Sequence, residues 1–408
     1  MESTRGKFSI VKQVCEVIPP YLVPRLAKEF GVHKKSRTFS PWSHVVALLY
    51  AQCSHAVGLN DVCDALANHR TDLAAIRGAT PPCRNTLSHA NKVRDARMAE
   101  ALFWEVLRYL QKICPAFAGK NYKGFPKRFK RTIHAVDSTT ISLVANCVDW
   151  ARHKRSKAGV KAHVRLDLQS FLPTFVIVDT ARDHDNKCAV ELCAGVKQGE
   201  IVVFDKAYLD FSHLFKLETR GVFWVTRAKE NMQAQCVEKL LDEPKGHILL
   251  DEIIELNGNS TREKYPQRLR RVTAQVEVKG VLKEMTFLTN NVDWAPSSIA
   301  DLYKSRWGIE VFFKQLKQTL QLCDFLGHSK NAIQWQVWMA LLAHVIMRYL
   351  AFTTHWRHSY NRLCALVRSS IWSHFNLIAL LKFYGIAHGS FRLLAAPDQA
   401  FLPSLAPP

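Results

Sequence analysis

Apolar residues recur at three- and four-residue steps from Ile10 to about Leu110. Val45, Leu48, Leu49 and Cys53 form one such stripe; Leu87, Ala90 and Val93, with Arg94 outside them, form another. That period places apolar side chains on one face of an α-helix, so the front of the chain reads as a helical unit. Gly78, Pro81 and Pro82 interrupt it just before Arg84–Arg94, a segment with polar and basic side chains free on one face. This resembles the turn and second helix of a helix-turn-helix. A surface helix in a helical bundle explains the same letters.

Pro115–Lys130 carries Gly119, Gly124, Pro126 and a dense run of cations, the composition of a linker. Beyond it the period changes. Short β-rich runs at 132–144, 160–168, 172–180, 201–209 and 222–226 are separated by turn or helix signals, with an apolar helix at 186–195. From 233 to 290 the runs 248–254, 269–278 and 284–289 predict a β-rich insertion around a polar loop at 257–268. Helical spacing returns at 297–322, 333–352 and 358–384 before a Pro-rich tail. The expected fold is therefore α/β with a mixed sheet. We divide it into a helical unit with the helix-turn-helix-like segment (1–120), an α/β domain in two parts (121–230 and 296–352), the β-rich insertion (231–295) and C-terminal helices with a tail (353–408).

Composition narrows the partners. Lys and Arg total 56 against 35 Asp and Glu, a net charge of +21, and residues 1–130 alone contribute +12. A polyanion is the first partner this suggests. The 11 cysteines are scattered singly with no C-x-x-C pair, which fits neither a disulfide framework nor a zinc ribbon. The N-terminus lacks the apolar stretch of a signal peptide, and the longest apolar run, 337–352, is broken by His344 and Arg348. These features lead us to expect a cytoplasmic protein with no membrane partner.

The residues that carry chemistry fall in three places. At 100° per residue, Tyr303, Arg306, Glu310, Lys314 and Lys317 share one helical stripe, with an apolar arc beside it. A carboxylate among cations can bind a divalent ion while the cations hold DNA phosphates; an exposed helix with i,i+4 ion pairs would look similar. In Thr132–Thr140 and Ile201–Tyr208 a lone carboxylate, Asp137 and then Asp205, ends an apolar β run. A buried charge needs a cation, a metal or a hydrogen-bond network. Asp179 also ends an apolar run and stays open as the alternative to Asp205. Three such carboxylates brought together could hold two Mg²⁺ or Mn²⁺ ions about 3.5–4 Å apart for phosphodiester chemistry. Hard oxygen donors favour these ions over zinc.

Tyr303, Arg306, Glu310 and Lys317, spaced Y-x₂-R-x₃-E-x₆-K behind two strand-terminal aspartates, resemble the Y-R-E-K signature of bacterial insertion-sequence transposases of the DDE type. The resemblance implies an RNase H-like catalytic domain interrupted by a β-rich insertion between Asp205 and Glu310. By that likeness Asp137, Asp205 and Glu310 would be catalytic metal ligands, and Tyr303, Arg306 and Lys317 would grip phosphates, with Trp307 and Lys314 adding stacking and charge. It further implies cut-and-paste movement through a hairpin at terminal inverted repeats, a homodimer on paired ends, target DNA as second substrate and a bacterial, nucleoid-associated location. Trp224 and Trp294 are candidate platforms for a flipped base, and the cluster Arg152, Lys154, Arg155, Lys157, Lys161 and Arg165 is a candidate backbone track. The competing readings are a catalytically inactive, transposase-derived DNA-binding protein and an RNase H-like nuclease without strand transfer.

Overall fold

The structure, a computed structural model, describes residues 6–34, 38–119, 126, 129–143, 152–154, 157–180, 185–278, 280–320 and 326–385. The chain begins with helices α1 (Ile10–Glu16), α2 (Leu22–Glu29), α3 (Pro41–Ser54), α4 (Leu59–Asn68), α5 (Arg70–Ala74), α6 (Arg84–Val93) and α7 (Arg97–Ile113). Their ends follow local chemistry. In α3 the Ser40 hydroxyl accepts from Ser43 N, Pro41 occupies the first turn, and His55 closes the helix in the left-handed region at φ 60°. Within the linker expected at 115–130, Pro115–Ala118 forms a 3-10 turn, and half of the segment lies outside the described residues.

The sheet follows: β1 (Ile133–Leu143), β2 (Arg152–Lys154), β3 (Lys157–Asp167), β4 (Leu172–Thr180), helix α8 (Asp185–Leu192), β5 (Ile201–Phe204), helix α9 (Phe211–Thr219) and β6 (Phe223–Arg227). β1 runs antiparallel to β3 and β3 to β4, while β1 pairs with β5 and β5 with β6 in parallel. The order β4-β3-β1-β5-β6, an antiparallel meander followed by parallel strands reached through helices, is the RNase H-like arrangement. The expected strand at 201–209 stops at Phe204, and Lys206–Tyr208 forms a 3-10 turn instead.

The insertion comprises β7 (Ala234–Lys239), β8 (Ile248–Leu256), a short helix α10 (Asn259–Lys264) inside the expected polar loop, β9 (Leu269–Val278) and β10 (Val281–Thr289). Its strands continue the same sheet. β10 pairs with β6 and the order runs on through β9 and β8 to β7, giving ten strands among the described residues. Gly280, at φ +77°, makes the β9–β10 turn that a side chain would strain.

Helical structure then resumes, and here one continuous helix over 297–322 is corrected. α11 (Pro296–Ser305) ends in a turn at Arg306, α12 (Trp307–Lys314) follows, and Gln315–Thr319 forms a π-helical turn. α13 (Lys330–Thr353), α14 (Tyr360–Ser369) and α15 (Leu377–Gly385) complete the described chain. α13 is long and apolar enough to cross a membrane, but 83% of its apolar window is buried inside the protein, as befits a central core helix.

Two cores flank the sheet. On one face, Ile133, Ala135, Ile201, Val203 and Val225 join α11, α12, α13 and the N-terminal helices; on the other, Val136, Val202, Phe204 and Trp224 pack with α8 and α9. The segment around α1 is tied to the residues before α15: Gly6 N donates to His374 O, Val11 N to Ile371 O and Gln13 Nε2 to Phe375 O.

Candidate active site

Strand alternation decides which side chains face the site. Odd-numbered positions of β1, β5 and β6 point into the first core and even-numbered ones into the second. Asp137 continues the odd face of β1, and Asp205 does so one residue past the end of β5. The parallel register pairs Ile133 with Ile201 through Val136 with Phe204, so Asp137 and Asp205 are the next step of the same ladder. The β5–β6 register, Ile201 with Phe223 through Val203 with Val225, brings Arg227 onto that row as well. Neighbouring strands lie about 4.8 Å apart. The row therefore collects two carboxylates and a guanidinium just past the stretch where β1, β5 and β6 pair in parallel, where open α/β sheets bind ligands, although β1 itself runs on through Asp137 to Leu143 beside β3.

α11 and α12 close over this face. Arg306, in the turn between them, donates from Nη1 to Asp137 Oδ2 at 2.9 Å and from Nη2 to Glu310 Oε1 at 2.7 Å. The Tyr303 hydroxyl donates to Asp205 Oδ1 at 3.2 Å. Ser138 N donates to Asp137 Oδ1 at 2.7 Å. Tyr303 is wedged against the Phe287 ring of β10, with centroids 4.9 Å apart. Gly308 faces Leu168, where an added Cβ would come within 2.9 Å of its Cδ2 and push that side chain aside. The i,i+4 pair between Arg306 and Glu310 thus exists, but its guanidinium also reaches a second carboxylate 169 residues away in sequence.

Burial pushes the Asp137 carboxyl up to about 6; Arg306 and Ser138 N pull it down, and the charges of Asp205 and Glu310 push it up again. Burial also lifts the Tyr303 phenol to about 12, with Arg306 opposing and Asp205 adding to the rise. Desolvation works against the Arg306 charge, but Asp137, Tyr303 and Glu310 outweigh it and hold its pKa above the ordinary value. The site is acid-rich with one guanidinium at its centre. Among the described residues no three His, Cys, Asp or Glu side chains close a metal cage, and Arg306 stands between Asp137 and Glu310. The donor chemistry still fits a hard divalent cation. All donors are carboxylate oxygens, and Asp137 resists ionisation beside two other acids, the condition that a bound cation relieves.

The remaining expected residues differ in availability. Lys317 Nζ donates to Thr140 O from the π turn, whereas Trp307, at 39% exposure, and Lys314 present themselves to solvent. Asp179 lies on β4, opposite Lys161 of β3. Two readings are corrected. Arg165 does not lie on a surface track; it is buried, donating to Thr174 Oγ1 and Leu192 O. Trp224 is fully buried on the even face beside Tyr265, away from the carboxylates. Trp294 packs against Phe129 and Phe223. Arg155 lies outside the described residues. Arg227, whose charge reaches Tyr303, was missed, although it follows an apolar run as the two aspartates do.

The carboxylates of an RNase H-like sheet thus lie beneath Tyr303, Arg306 and Glu310. Residues 128–346, more than half of the chain, match the transposase DDE domain family, and residues 7–76 match a domain family of unknown function. A probable transposase for insertion sequence element IS5377 of Geobacillus stearothermophilus is 28% identical over 225 residues, covering 55% of this chain and 58% of that protein. A putative transposase, y4zB, of Sinorhizobium fredii is 29% identical over 273 residues, 66% and 72% of the two chains. The transposase for insertion sequence element IS231E of Bacillus thuringiensis is 20% identical over 391 residues, 84% and 79%. The chain belongs to the transposase DDE domain family.

Proposed function

We propose that the chain moves an insertion sequence by cut-and-paste transposition: nicking at the terminal inverted repeats, attack of the freed 3′-hydroxyl on the opposite strand to form a hairpin, hairpin opening, and strand transfer into target DNA. The observation that carries this reading is the juxtaposition of Asp137 and Asp205 on adjacent parallel strands with Tyr303, Arg306 and Glu310 laid over the same face.

Asp137, Asp205 and Glu310 would hold Mg²⁺ or Mn²⁺, two ions by the likeness to DDE enzymes. When bound, such ions activate the attacking oxygen and stabilise the leaving one. Arg306 sets the spacing of Asp137 and Glu310 and offsets their charge. Tyr303 orients the Asp205 carboxylate through its hydroxyl. Trp307 and Lys314, exposed beside the site, contact the DNA, with Lys317 supporting the helix end on β1. Solvent-facing Arg84, Asn85, Ser88, His89 and Lys92 lie along one side of α6, side chains of the kinds that meet base edges and phosphates in a major groove. A homodimer pairing two element ends would act at the bacterial nucleoid.

The test is cleavage of DNA carrying the sequences that flank the coding region on both sides. With Mg²⁺ the purified protein should give hairpin-ended products, and Asp137→Ala, Asp205→Ala and Glu310→Ala should each lower cleavage by about 10³-fold or more while binding persists. Normal cleavage by Asp205→Ala together with loss in Asp179→Ala would remove Asp205 from the trio.

A further inference from the structure

The insertion is tied to the active-site helices by a second guanidinium. Arg270 of β9 grips Asp251 of β8 with two parallel bonds, Nε to Oδ1 and Nη2 to Oδ2, both 2.7 Å. Its remaining nitrogen, Nη1, donates to Val292 O at 2.9 Å and to Trp294 O at 2.6 Å. Both side chains are only 4% exposed. The two carbonyls belong to the turn between β10 and α11, the last residues before Pro296 starts the helix that carries Tyr303.

That turn is held on its other sides as well. Asn290 accepts from Trp224 N and donates to Val222 O, linking it to β6. Asn291 Oδ1 accepts from Asp293 N and Trp294 N. From Pro296 the helix runs two turns to Tyr303, whose hydroxyl meets Asp205 and whose ring meets Phe287 of the insertion. A displacement at the Val292 and Trp294 carbonyls is therefore passed along a short rigid helix to the carboxylate site.

A buried ion pair is weak evidence for stability, because an apolar pair of similar volume often serves as well. What an apolar pair lacks is the ability to donate to two carbonyls in fixed positions. We propose that Arg270, oriented by Asp251, is a positioning residue for strand cleavage: it sets where α11 begins and so where Tyr303 and Arg306 stand. The insertion is then part of the catalytic apparatus through its backbone strap, whatever DNA it also touches. This rests on the reading of Asp137, Asp205 and Glu310 as the reacting centre.

The experiment compares full-length wild type, Arg270→Lys and the double variant Asp251→Leu with Arg270→Met. Single-turnover cleavage with Mg²⁺, affinity for the same flanking-sequence duplex and hydrogen exchange of the 296–310 peptide are measured on each. The double variant should remain folded and bind DNA within about threefold of wild type. Its cleavage should fall by about 10- to 100-fold, as expected when reacting groups shift by an ångström or less, and the 296–310 amides should exchange faster. Arg270→Lys, with one point charge in place of a fork, should lie between the two. Wild-type cleavage and exchange in the double variant would overturn the proposal, as would equal losses of binding and cleavage with exchange raised throughout, the signature of a purely structural pair. If wild type itself does not cleave, the reading of the reaction fails, and the exchange of 296–310 still decides whether the strap holds the helix.

Discussion

Arg270 meets a buried carboxylate and Arg306 a partly buried one, yet they are built to opposite ends. Arg270 spends both edges of its fork, two bonds on one aspartate and two on main-chain carbonyls, with both ions sealed from water. Arg306 gives one bond each to two different acids, leaves Nε without a hydrogen-bond partner among the described residues, and shares Glu310, 49% exposed, with solvent. A bidentate, fully satisfied pair has one geometry and resists change. A guanidinium stretched between two carboxylates can release either to a competing cation. The insertion therefore holds a rigid brace, and the RNase H-like half holds an exchangeable one.

The largest expected effect that separates them is on stability. Asp251→Ala leaves the Arg270 charge buried and unpaired, which should cost about 3–5 kcal/mol in urea unfolding. Arg306→Met should cost about 1–2 kcal/mol, because Glu310 already reaches water and Asp137 can take up a proton. Equal losses would erase the contrast. Next comes activity: Arg306→Met should lower single-turnover cleavage by about 10²-fold or more with DNA affinity nearly unchanged, and wild-type cleavage in that variant would remove Arg306 from the site.

A smaller effect should appear in the pH dependence of stability in EDTA. The Asp137 carboxyl rises from 3.8 to about 6 on folding, so its favourable contribution is complete below the unfolded value and is lost as pH rises through about 6. Asp137→Asn should consequently raise the thermal midpoint at pH 8 and lose that advantage toward pH 4; an advantage independent of pH would contradict the burial argument. The smallest change belongs to the exposed helix face. Lys314→Gln should reduce the dependence of log affinity on log salt by about one while weakening binding less than tenfold, and an unaltered slope would place Lys314 away from the phosphates.

Much of the fold was legible because its signals are local. Period-two apolar runs marked β1, β3, β4, β5 and β6, and three- to four-residue spacing marked the helices. The two aspartates stood out for the same reason: a charge after an apolar run breaks a pattern that a few residues define. β7 did not, since an exposed strand such as Ala234–Lys239 lacks an apolar face to alternate against. The Arg306 turn and the π turn after Lys314 likewise escaped, because apolar spacing at 100° per residue continues smoothly through both. Arg165 and Trp224 show the converse. Nothing in the flanking letters of a cation in a basic run, or of a tryptophan in a strand, says whether the side chain meets solvent or a helix packed on that face.

By itself the sequence determined which residue types end each strand and line each helix, since alternation and helical period follow from backbone geometry within a few residues. Only the tertiary structure decided which strand ends stand side by side and which carboxylate each arginine meets. Those choices depend on register between segments dozens to hundreds of residues apart, and are made by the burial of two faces of one sheet at once.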